Sequence, residues 1–240
     1  MLWQAVFQQV GEQAGQNSGD MLECGSISTR ESISDIMPRS IFGMFMNKPL
    51  VFLGIFTLVI IALGFTGQWV NEYLSYDRHA LLSGELWRVL TAHLVHSNVY
   101  HTFMNLGILA VSVFLFGKCT HVSGWLVVFV SLCLLDSLGL FVFSSHVVNY
   151  VGMSGVLYGI LSFGLLKDIK KGKWINGITL LLLAGKIIWE QLPGYDVNYL
   201  RSKIDAAVIV DAHLYGYIGG IVLYLIFIVF TKIRGAKGYG

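Results

Sequence analysis

Two short motifs in the sequence carry side chains that can perform hydrolytic chemistry. Residues 152–155 read Gly-Met-Ser-Gly at the start of one apolar stretch, and residues 212–216 read Ala-His-Leu-Tyr-Gly within another. A serine at a helix N-terminus lies beside backbone N–H groups that lack intrahelical acceptors and can hold a developing oxyanion. An imidazole can take the serine proton near neutral pH. The motifs therefore predict that Ser154 is a nucleophile and that His213 is its general base.

The glycines of both stretches predict that these two side chains can meet. Small residues at a spacing of four let membrane helices approach closely, and here they are Gly155, Gly159, Gly216 and Gly220. Tyr158 follows Ser154 by one helical turn and is expected to stack on the imidazole. Asp211 is two residues from His213, so a helix points it away. Because no acidic residue has a clear place beside the histidine, we expect a Ser–His dyad.

His101 and Asn105 are candidates for further oxyanion donors. They lie four residues apart, which places them on one face of a helix. Asn105 precedes Lys118 by thirteen residues, and Ser154 precedes Lys167 by the same number. If both lysines mark the inner membrane surface, the two side chains lie at one depth. The spacing therefore predicts an oxyanion hole made by His101, Asn105 and the backbone N–H of Ser154.

The composition is that of a membrane protein. Hydrophobic residues make up 55% of the 240-residue chain and charged residues 12%, whereas soluble domains carry about 25% charge. The mean hydropathy is +0.67. The net charge of +2 and the lack of a basic, aromatic-rich stripe argue against a nucleic-acid partner. No C-x-x-C or H-E-x-x-H motif is present, so the sequence offers no strong metal site.

The apolar runs predict an all-α, polytopic bundle. Runs of about 20 residues indicate spanning helices, and six are found at roughly 49–67, 99–117, 122–144, 152–166, 174–192 and 206–231. Eleven of the sixteen Lys and Arg residues then lie on one side and four on the other. Since basic residues concentrate in cytoplasmic loops, both termini are predicted to be cytoplasmic. The expected division is a cytoplasmic segment over 1–48, a membrane domain over 49–232 and a cytoplasmic tail over 233–240.

The fourth run is too short to cross a bilayer fully. A helix from Met153 to Leu166 rises only about 21 Å, against a hydrocarbon core of about 30 Å. Its N-terminus is therefore expected to start below the outer surface. Irregular backbone at that depth is tolerated only beside protein or water. We accordingly expect Ser154 to face a water-filled cavity that opens to the outside.

Four motifs occur together along the chain. They are Glu85-Leu86-Trp87-Arg88, His101 with Asn105, Gly152-Met153-Ser154-Gly155 with Tyr158, and Ala212-His213 with Gly216 and Gly220. In this combination the chain resembles the rhomboid family of intramembrane serine proteases over about residues 49–232. The resemblance implies a bundle of six transmembrane helices, a Ser–His dyad without a carboxylate, and no cofactor. It also implies that Trp87 and Arg88 help to build a loop at the membrane surface.

Further stretches are similar to the rhombosortase subgroup of that family. They are Tyr76-Asp77-Arg78, Gly84-Glu85 before Trp87, Lys186 through Glu190-Gln191, and Val210 through Gly216. This likeness implies substrates that are secreted bacterial proteins with a C-terminal tail. Such a tail carries a Gly-Gly motif, a membrane helix and a basic cluster. We therefore expect a protein of the bacterial inner membrane whose site opens to the periplasm.

Charged residues within the apolar runs have more than one interpretation. Lys186 and Glu190 lie one turn apart in the fifth run. They either form a partly buried ion pair that neutralises its own charge, or they recognise substrate beside the route by which rhomboid substrates enter. Asp136, in the third run, is expected to be a hydrogen-bonded packing residue.

Three other functions compete with tail processing. The first is a general rhomboid protease that acts on other single-span proteins, and the second is a catalytically inactive, client-binding relative. Retention of both Ser154 and His213 disfavours the second. A small-solute transporter would show inverted repeats, and no such repeat is evident. The expected partners are membrane-anchored proteins and the lipid bilayer, and no particular oligomeric state is indicated.

Overall fold

The described part of the chain is helical apart from one short sheet. The computed structural model describes residues 48–117, 122–169 and 174–237. In chain order the elements are α1 (Lys48–Gly64), α2 (Gln68–Leu74), β1 (Tyr76–Asp77), α3 (Arg78–Leu82), α4 (Arg88–Thr91), α5 (Val99–Phe116), α6 (Val122–Phe143), β2 (Asn149–Tyr150), α7 (Ser154–Ile169), α8 (Ile175–Glu190), α9 (Arg201–Ile204) and α10 (Val210–Lys237). The expectations for residues 1–47, for Lys118, Lys170, Lys171 and Lys173, and for residues 238–240 lie outside the described residues.

The helices differ in whether they are long enough to cross a membrane. Among the described residues, three helices are sufficiently long and apolar: Val99–Phe116, Val122–Phe143 and Val210–Ile233. Helices α1 and α2 meet the same criterion only as a pair bent by 119°. Helices α7 and α8 have 16 residues each, or about 24 Å, which is less than the hydrocarbon thickness of about 30 Å. Three to four spans are therefore apparent, and the predicted total of six stays a prediction.

Helix α7 is the central helix of the bundle. It packs against α5, α6, α8 and α10, and its residues from Gly155 to Ile160 are all buried. The surrounding helices instead expose apolar side chains on their outer faces, such as Leu134, Leu181 and Phe230. This arrangement suits a protein whose exterior contacts lipid and whose polar groups face inward.

Glycines set the distance between α7 and α10. A Cβ on Gly216 would lie 1.8 Å from the carbonyl oxygen of Gly155, and one on Gly220 would lie 2.2 Å from that of Gly159. In return, a Cβ on Gly159 would lie 2.8 Å from the carbonyl oxygen of Gly216. Only residues without side chains permit such an approach. The close contact predicted from the glycine spacing is therefore confirmed.

The loop over residues 65–98 is organised around a buried arginine. Arg88 is 7% exposed. Its guanidinium donates to Glu85 Oε2 and to the carbonyl oxygens of Glu72 and Ser75, each at 2.7 Å. The indole of Trp87 donates to the carbonyl oxygen of Tyr73 at 3.4 Å. These bonds tie the start of α4 to α2 and to the residue that follows it.

The same loop also holds the end of α6. Strands β1 and β2 pair antiparallel with Tyr76 opposite Tyr150. Arg78, the first residue after β1, donates to carbonyl oxygens at and just after the C-terminus of α6. These oxygens belong to Leu140, Phe141, Ser144 and Val147. The last carbonyls of a helix lack intrahelical donors, so Arg78 acts as a cap. The segment that leads into α7 is thereby fixed.

Candidate active site

A glycine turn delivers Ser154 to the start of α7. Gly152 has φ of +114°, a conformation that residues with a Cβ rarely adopt. A Cβ there would also lie 2.7 Å from Cε1 of His101. The N–H of Gly152 donates to the carbonyl oxygen of Ala92 at 3.0 Å, which anchors the turn to the surface loop. Helix α7 then begins at Ser154, where the first backbone N–H groups lack intrahelical acceptors.

Ser154 and His213 lie within hydrogen-bonding distance. The serine Oγ is 3.2 Å from Nε2 of the imidazole. His213 lies in the first turn of α10, which begins at Val210, and is only 5% exposed. The distance is the one required between a nucleophile and its base.

Tyr158 packs against the imidazole as its position one turn after Ser154 suggests. The two ring centroids are 4.5 Å apart and the planes are inclined by 29°, a stacked arrangement. The contact restricts rotation of the histidine ring. It thereby keeps Nε2 directed at the serine.

A carboxylate occupies the other side of the imidazole. Glu190 Oε2 lies 2.9 Å from Nδ1 of His213, and the Glu190 side chain has no exposed surface. Its second oxygen, Oε1, accepts from Nζ of Lys186. This contact differs from the expected dyad, in which no carboxylate lies beside the histidine. A glutamate in an apolar run needs partners for both of its oxygens, and Lys186 could supply only one of them. That need was the feature of the sequence that could have indicated a second partner for Glu190.

The expected oxyanion donors lie next to the glycine turn. His101 uses Nδ1 to contact Ser97 Oγ at 3.0 Å, and its Nε2 would lie 2.8 Å from a Cβ on Gly152. Asn105 is fully buried, and neither polar atom of its side chain has a hydrogen-bond partner among the described residues. A buried amide without partners is costly. Asn105 therefore offers a donor to a ligand bound beside Ser154.

These groups line one cavity with a volume of about 320 Å³. Its polar lining includes His101, Asn105, Ser154, Tyr158, Lys186 and His213. Much of its apolar lining comes from the segment 204–209 between α9 and α10. The cavity therefore joins polar groups for chemistry to an apolar wall.

The segment over the cavity is attached to the start of α5. Asn98 Nδ2 donates to the carbonyl oxygen of Lys203 at 2.7 Å and to Asp205 Oδ2 at 2.8 Å. Ser97 Oγ donates to the carbonyl oxygen of Ile204. Tyr199, in the loop between α8 and α9, also lines the cavity. Burial raises the pKa of its hydroxyl. The tyrosine therefore stays protonated at neutral pH.

The other acidic residues near the motifs are not directed at the imidazole. Asp211 accepts from Ser144 Oγ and lies 3.4 Å from Nε2 of His146. Asp136 is fully buried behind Gly155, and its oxygens have no hydrogen-bond partner in the described part of the chain. Asp136 packs against Gly155 as expected, but the hydrogen bond that was expected for it is not found among the described residues. Within the described ranges no group of three His, Cys, Asp or Glu side chains could hold a metal ion.

Comparison with known proteins agrees with these motifs. A family model described as "Rhomboid domain" matches residues 83–230, which is more than half of the chain. A protein of Bacillus subtilis (strain 168), described as "Putative rhomboid protease YdcA", is 25% identical over 165 residues. That alignment covers 65% of this chain and 73% of the relative. The matched family region includes every residue that lines the cavity.

Proposed function

The chain belongs to the rhomboid family and is an intramembrane serine protease, and we propose that Ser154 and His213 perform its peptide-bond hydrolysis. The observation that carries this proposal is the 3.2 Å separation between Ser154 Oγ and His213 Nε2 at the edge of the cavity. A serine hydroxyl is a weak nucleophile until a base takes its proton. His213 is the only imidazole within hydrogen-bonding distance of Ser154 among the described residues.

The reaction follows from this arrangement in two stages. His213 takes the proton of Ser154 as Oγ attacks the scissile carbonyl carbon, which gives a tetrahedral oxyanion. His213 then passes that proton to the leaving amine as the C–N bond breaks, which leaves an acyl-enzyme. Water, deprotonated by the same imidazole, attacks the ester and releases the new carboxyl terminus. An amine could take the place of water in the second stage, and the product would then be a new amide.

The oxyanion of each stage is assigned to three donors. They are Nε2–H of His101, Nδ2–H of Asn105 and the backbone N–H of Ser154. His101 carries its proton on Nε2 when the Ser97 hydroxyl donates to Nδ1 instead of to the carbonyl oxygen of Ile204. The unpartnered amide of Asn105 beside Gly152 supports this assignment. Donors of this kind contribute about 3–4 kcal/mol each to transition-state stabilisation in soluble proteases.

We assign the membrane topology from the helices and the basic residues. Helices α1, α5, α6, α7, α8 and α10 cross the bilayer within a membrane domain over 49–232. The segment 1–48 and the tail 233–240 are cytoplasmic, because eleven of sixteen basic residues fall on that side. In this topology Ser154, at the start of the short α7, lies below the outer surface. In a bacterial inner membrane the cavity opens to the periplasm.

The proposed substrates are membrane-anchored proteins of the rhombosortase type. Their tails carry Gly-Gly, then a membrane helix, then a basic cluster. Support comes from the similarity of the Tyr76-Asp77-Arg78 stretch and of the Lys186–Glu190 turn to that subgroup. Glycines also unwind a helix readily, which would expose a peptide bond to Ser154. The alternative is a general rhomboid protease for other single-span proteins.

The substrate class can be tested with reconstituted full-length protein. A single-span test substrate with a Gly-Gly tail is compared with a copy in which both glycines are leucine, and product masses locate the cleaved bond. We expect cleavage at or next to Gly-Gly, and at least a tenfold slower reaction of the leucine copy. Equal cleavage of both would favour the general protease. The product mass also shows whether water or an amine was added.

A further inference from the structure

We propose that Glu190 is a positioning residue for His213, so that the site works as a Ser–His–Glu triad. The inference rests on the proposed roles of Ser154 and His213. A carboxylate 2.9 Å from Nδ1 and a serine hydroxyl 3.2 Å from Nε2 occupy the two nitrogens of one imidazole. Three consecutive groups are thus in line, from α8 through α10 to α7.

The first consequence concerns the proton on the imidazole. An ionised carboxylate only accepts hydrogen bonds, so Nδ1 must carry the proton that it shares with Glu190. Nε2 then presents its lone pair to Ser154 Oγ. This is the one neutral tautomer in which His213 can act as a base towards Ser154. Glu190 therefore selects the reactive form of the ring.

The second consequence concerns the charge that develops during the reaction. When His213 takes the serine proton it becomes an imidazolium. The Glu190 carboxylate lies against that cation and has no exposed surface. An opposite charge at this distance is worth far more away from water than in it. Glu190 therefore stabilises the protonated histidine in both stages.

Lys186 completes the arrangement by binding the other carboxylate oxygen. Its ammonium contacts Glu190 Oε1 and lies 5.6 Å from the centroid of the Tyr158 ring. A glutamate held on one side by an ammonium and on the other by an imidazole is restrained in both position and charge. Lys186, Glu190 and Tyr158 thus surround the imidazole.

Burial separates this role from substrate recognition. The Glu190 side chain is 0% exposed, whereas that of Lys186 is 24% exposed and lines the cavity. A substrate in the cavity can reach Lys186 but not Glu190. Other ionisable groups face Glu190 and His213. His101 from α5 faces His213, and Tyr158 from α7 faces Glu190. Tyr195 and Tyr199, from the loop after α8, also face Glu190. Glu190 is the only acidic group in direct contact with His213 among the described residues.

The test is the reaction of full-length Glu190→Gln with a fluorophosphonate in detergent micelles. The variant keeps the size of the side chain and removes its charge. We expect the maximal inactivation rate to fall roughly 10³–10⁴-fold, the loss typical of a triad with the wrong tautomer, with unchanged probe affinity. A wild-type rate, or a slower reaction explained by weaker binding of the probe, would overturn the proposal.

A double variant tests whether the Lys186–Glu190 ion pair serves only to stabilise the fold. Glu190→Gln alone leaves the partly buried Lys186 ammonium without its carboxylate, and the loss of a partner for such a charge can destabilise the protein. Lys186→Met/Glu190→Gln removes both charges. If Glu190 acts on His213, the double variant stays more than tenfold slower than wild type. Recovery to within tenfold of wild type would assign the pair to folding and contradict the triad.

Two further variants separate this inference from the function on which it rests. Ser154→Ala and His213→Ala should both fail to react with the probe. If either one reacts at the wild-type rate, the proposed nucleophile and base are wrong. If both fail to react while Glu190→Gln reacts normally, the roles of Ser154 and His213 are retained and only the role of Glu190 is rejected.

Discussion

Two buried carboxylates lie on different sides of the start of α7, and they differ in every contact. Glu190 shares its two oxygens between Lys186 and His213. Asp136 touches Gly155 and has no hydrogen-bond partner among the described residues. His93 Nδ1 is 3.8 Å from its Oδ2, which is too far for a hydrogen bond.

The contrast shows which of the two acids can take part in chemistry. A buried charge is retained at reasonable cost only when it is paired and hydrogen-bonded. Glu190 fulfils both conditions and is aimed at the proposed base. Asp136 fulfils neither and fills space behind the nucleophile. Burial of an acidic side chain therefore does not by itself mark a functional residue, whereas its partners do.

The largest expected effect is a difference between isosteric amides at these two positions. Glu190→Gln should lower the fluorophosphonate inactivation rate roughly 10³-fold or more. Asp136→Asn should leave that rate within about threefold of wild type, because a change away from the reacting atoms acts mainly on stability. Parallel rate measurements on both variants check the comparison. A greater loss in Asp136→Asn than in Glu190→Gln would reverse it.

The next effect concerns the helix contact that brings the proposed base to the nucleophile. In Gly216→Ala the new methyl would meet the carbonyl oxygen of Gly155 at 1.8 Å. We expect a loss of roughly 1–3 kcal/mol in unfolding free energy, as for other overpacked sites, together with slower labelling of Ser154. Thermal unfolding in detergent and labelling rates check both.

Gly107→Ala is the matched control for this contact. Gly107 lies in α5, and a Cβ there meets nothing within 4 Å. Replacing a glycine with alanine at such a helical position stabilises by about 0.4–1 kcal/mol. Equal destabilisation by the two alanines would mean that glycine contacts do not set the distance between α7 and α10.

The sequence predicted the parts of this arrangement that depend on local spacing. Gly152, Ser154 and Tyr158 fall within one turn and the following helix, so their relation follows from helical geometry. The approach of α7 and α10 followed from the glycines, because only small residues allow it. The position of His213 opposite Ser154 agrees with both signals.

The contacts that could not be predicted cross between elements whose relative register the sequence does not encode. Glu190 ends α8, and its contact with His213 depends on how α8 meets α10. The carbonyls bound by Arg78 are more than sixty residues away in the chain. The shortness of α7 was predicted from the sequence, whereas α8 is shorter than the run predicted at 174–192. Polar contacts between residues far apart in the sequence can be identified only when the fold is known.

Arg78 supplies a partly buried charge, which is held by carbonyl oxygens instead of a carboxylate. Arg78→Met keeps the aliphatic part of the side chain and removes its four hydrogen bonds to carbonyl oxygens. Hydrogen bonds from charged groups contribute about 1.5–3 kcal/mol, so we expect a loss of about 2–3 kcal/mol. Exposed Arg201, with one 3.4 Å contact to Asn198, is the control, since Arg201→Met should stay within about 0.5 kcal/mol. Similar unfolding midpoints for the two variants would reject the capping role.

The smallest expected effect is at Asp77, an acid satisfied by backbone N–H groups. Its carboxylate accepts from the N–H groups of Ala80 and His79, and the bond from Ala80 is the main cause of its lowered pKa. Asp77→Ala should cost about 1 kcal/mol at neutral pH, as for other helix N-caps, while Asp77→Asn should cost less.

The effect of Asp77 also has a defined pH dependence. Because the folded pKa lies below the unfolded value, the stabilisation is fully present above about pH 4 and is lost as the pH falls through the folded pKa. The difference in unfolding free energy between wild type and Asp77→Ala should therefore shrink on acidification. A difference that grows below about pH 4 would contradict this assignment.

The central claim is that Ser154 is the nucleophile and that His213 activates it. The most direct measurement is peptide mapping by mass spectrometry after full-length protein has reacted with a fluorophosphonate. The account predicts a single adduct on Ser154 that is absent from His213→Ala. An adduct on another residue, or unchanged labelling of Ser154 in His213→Ala, would contradict it.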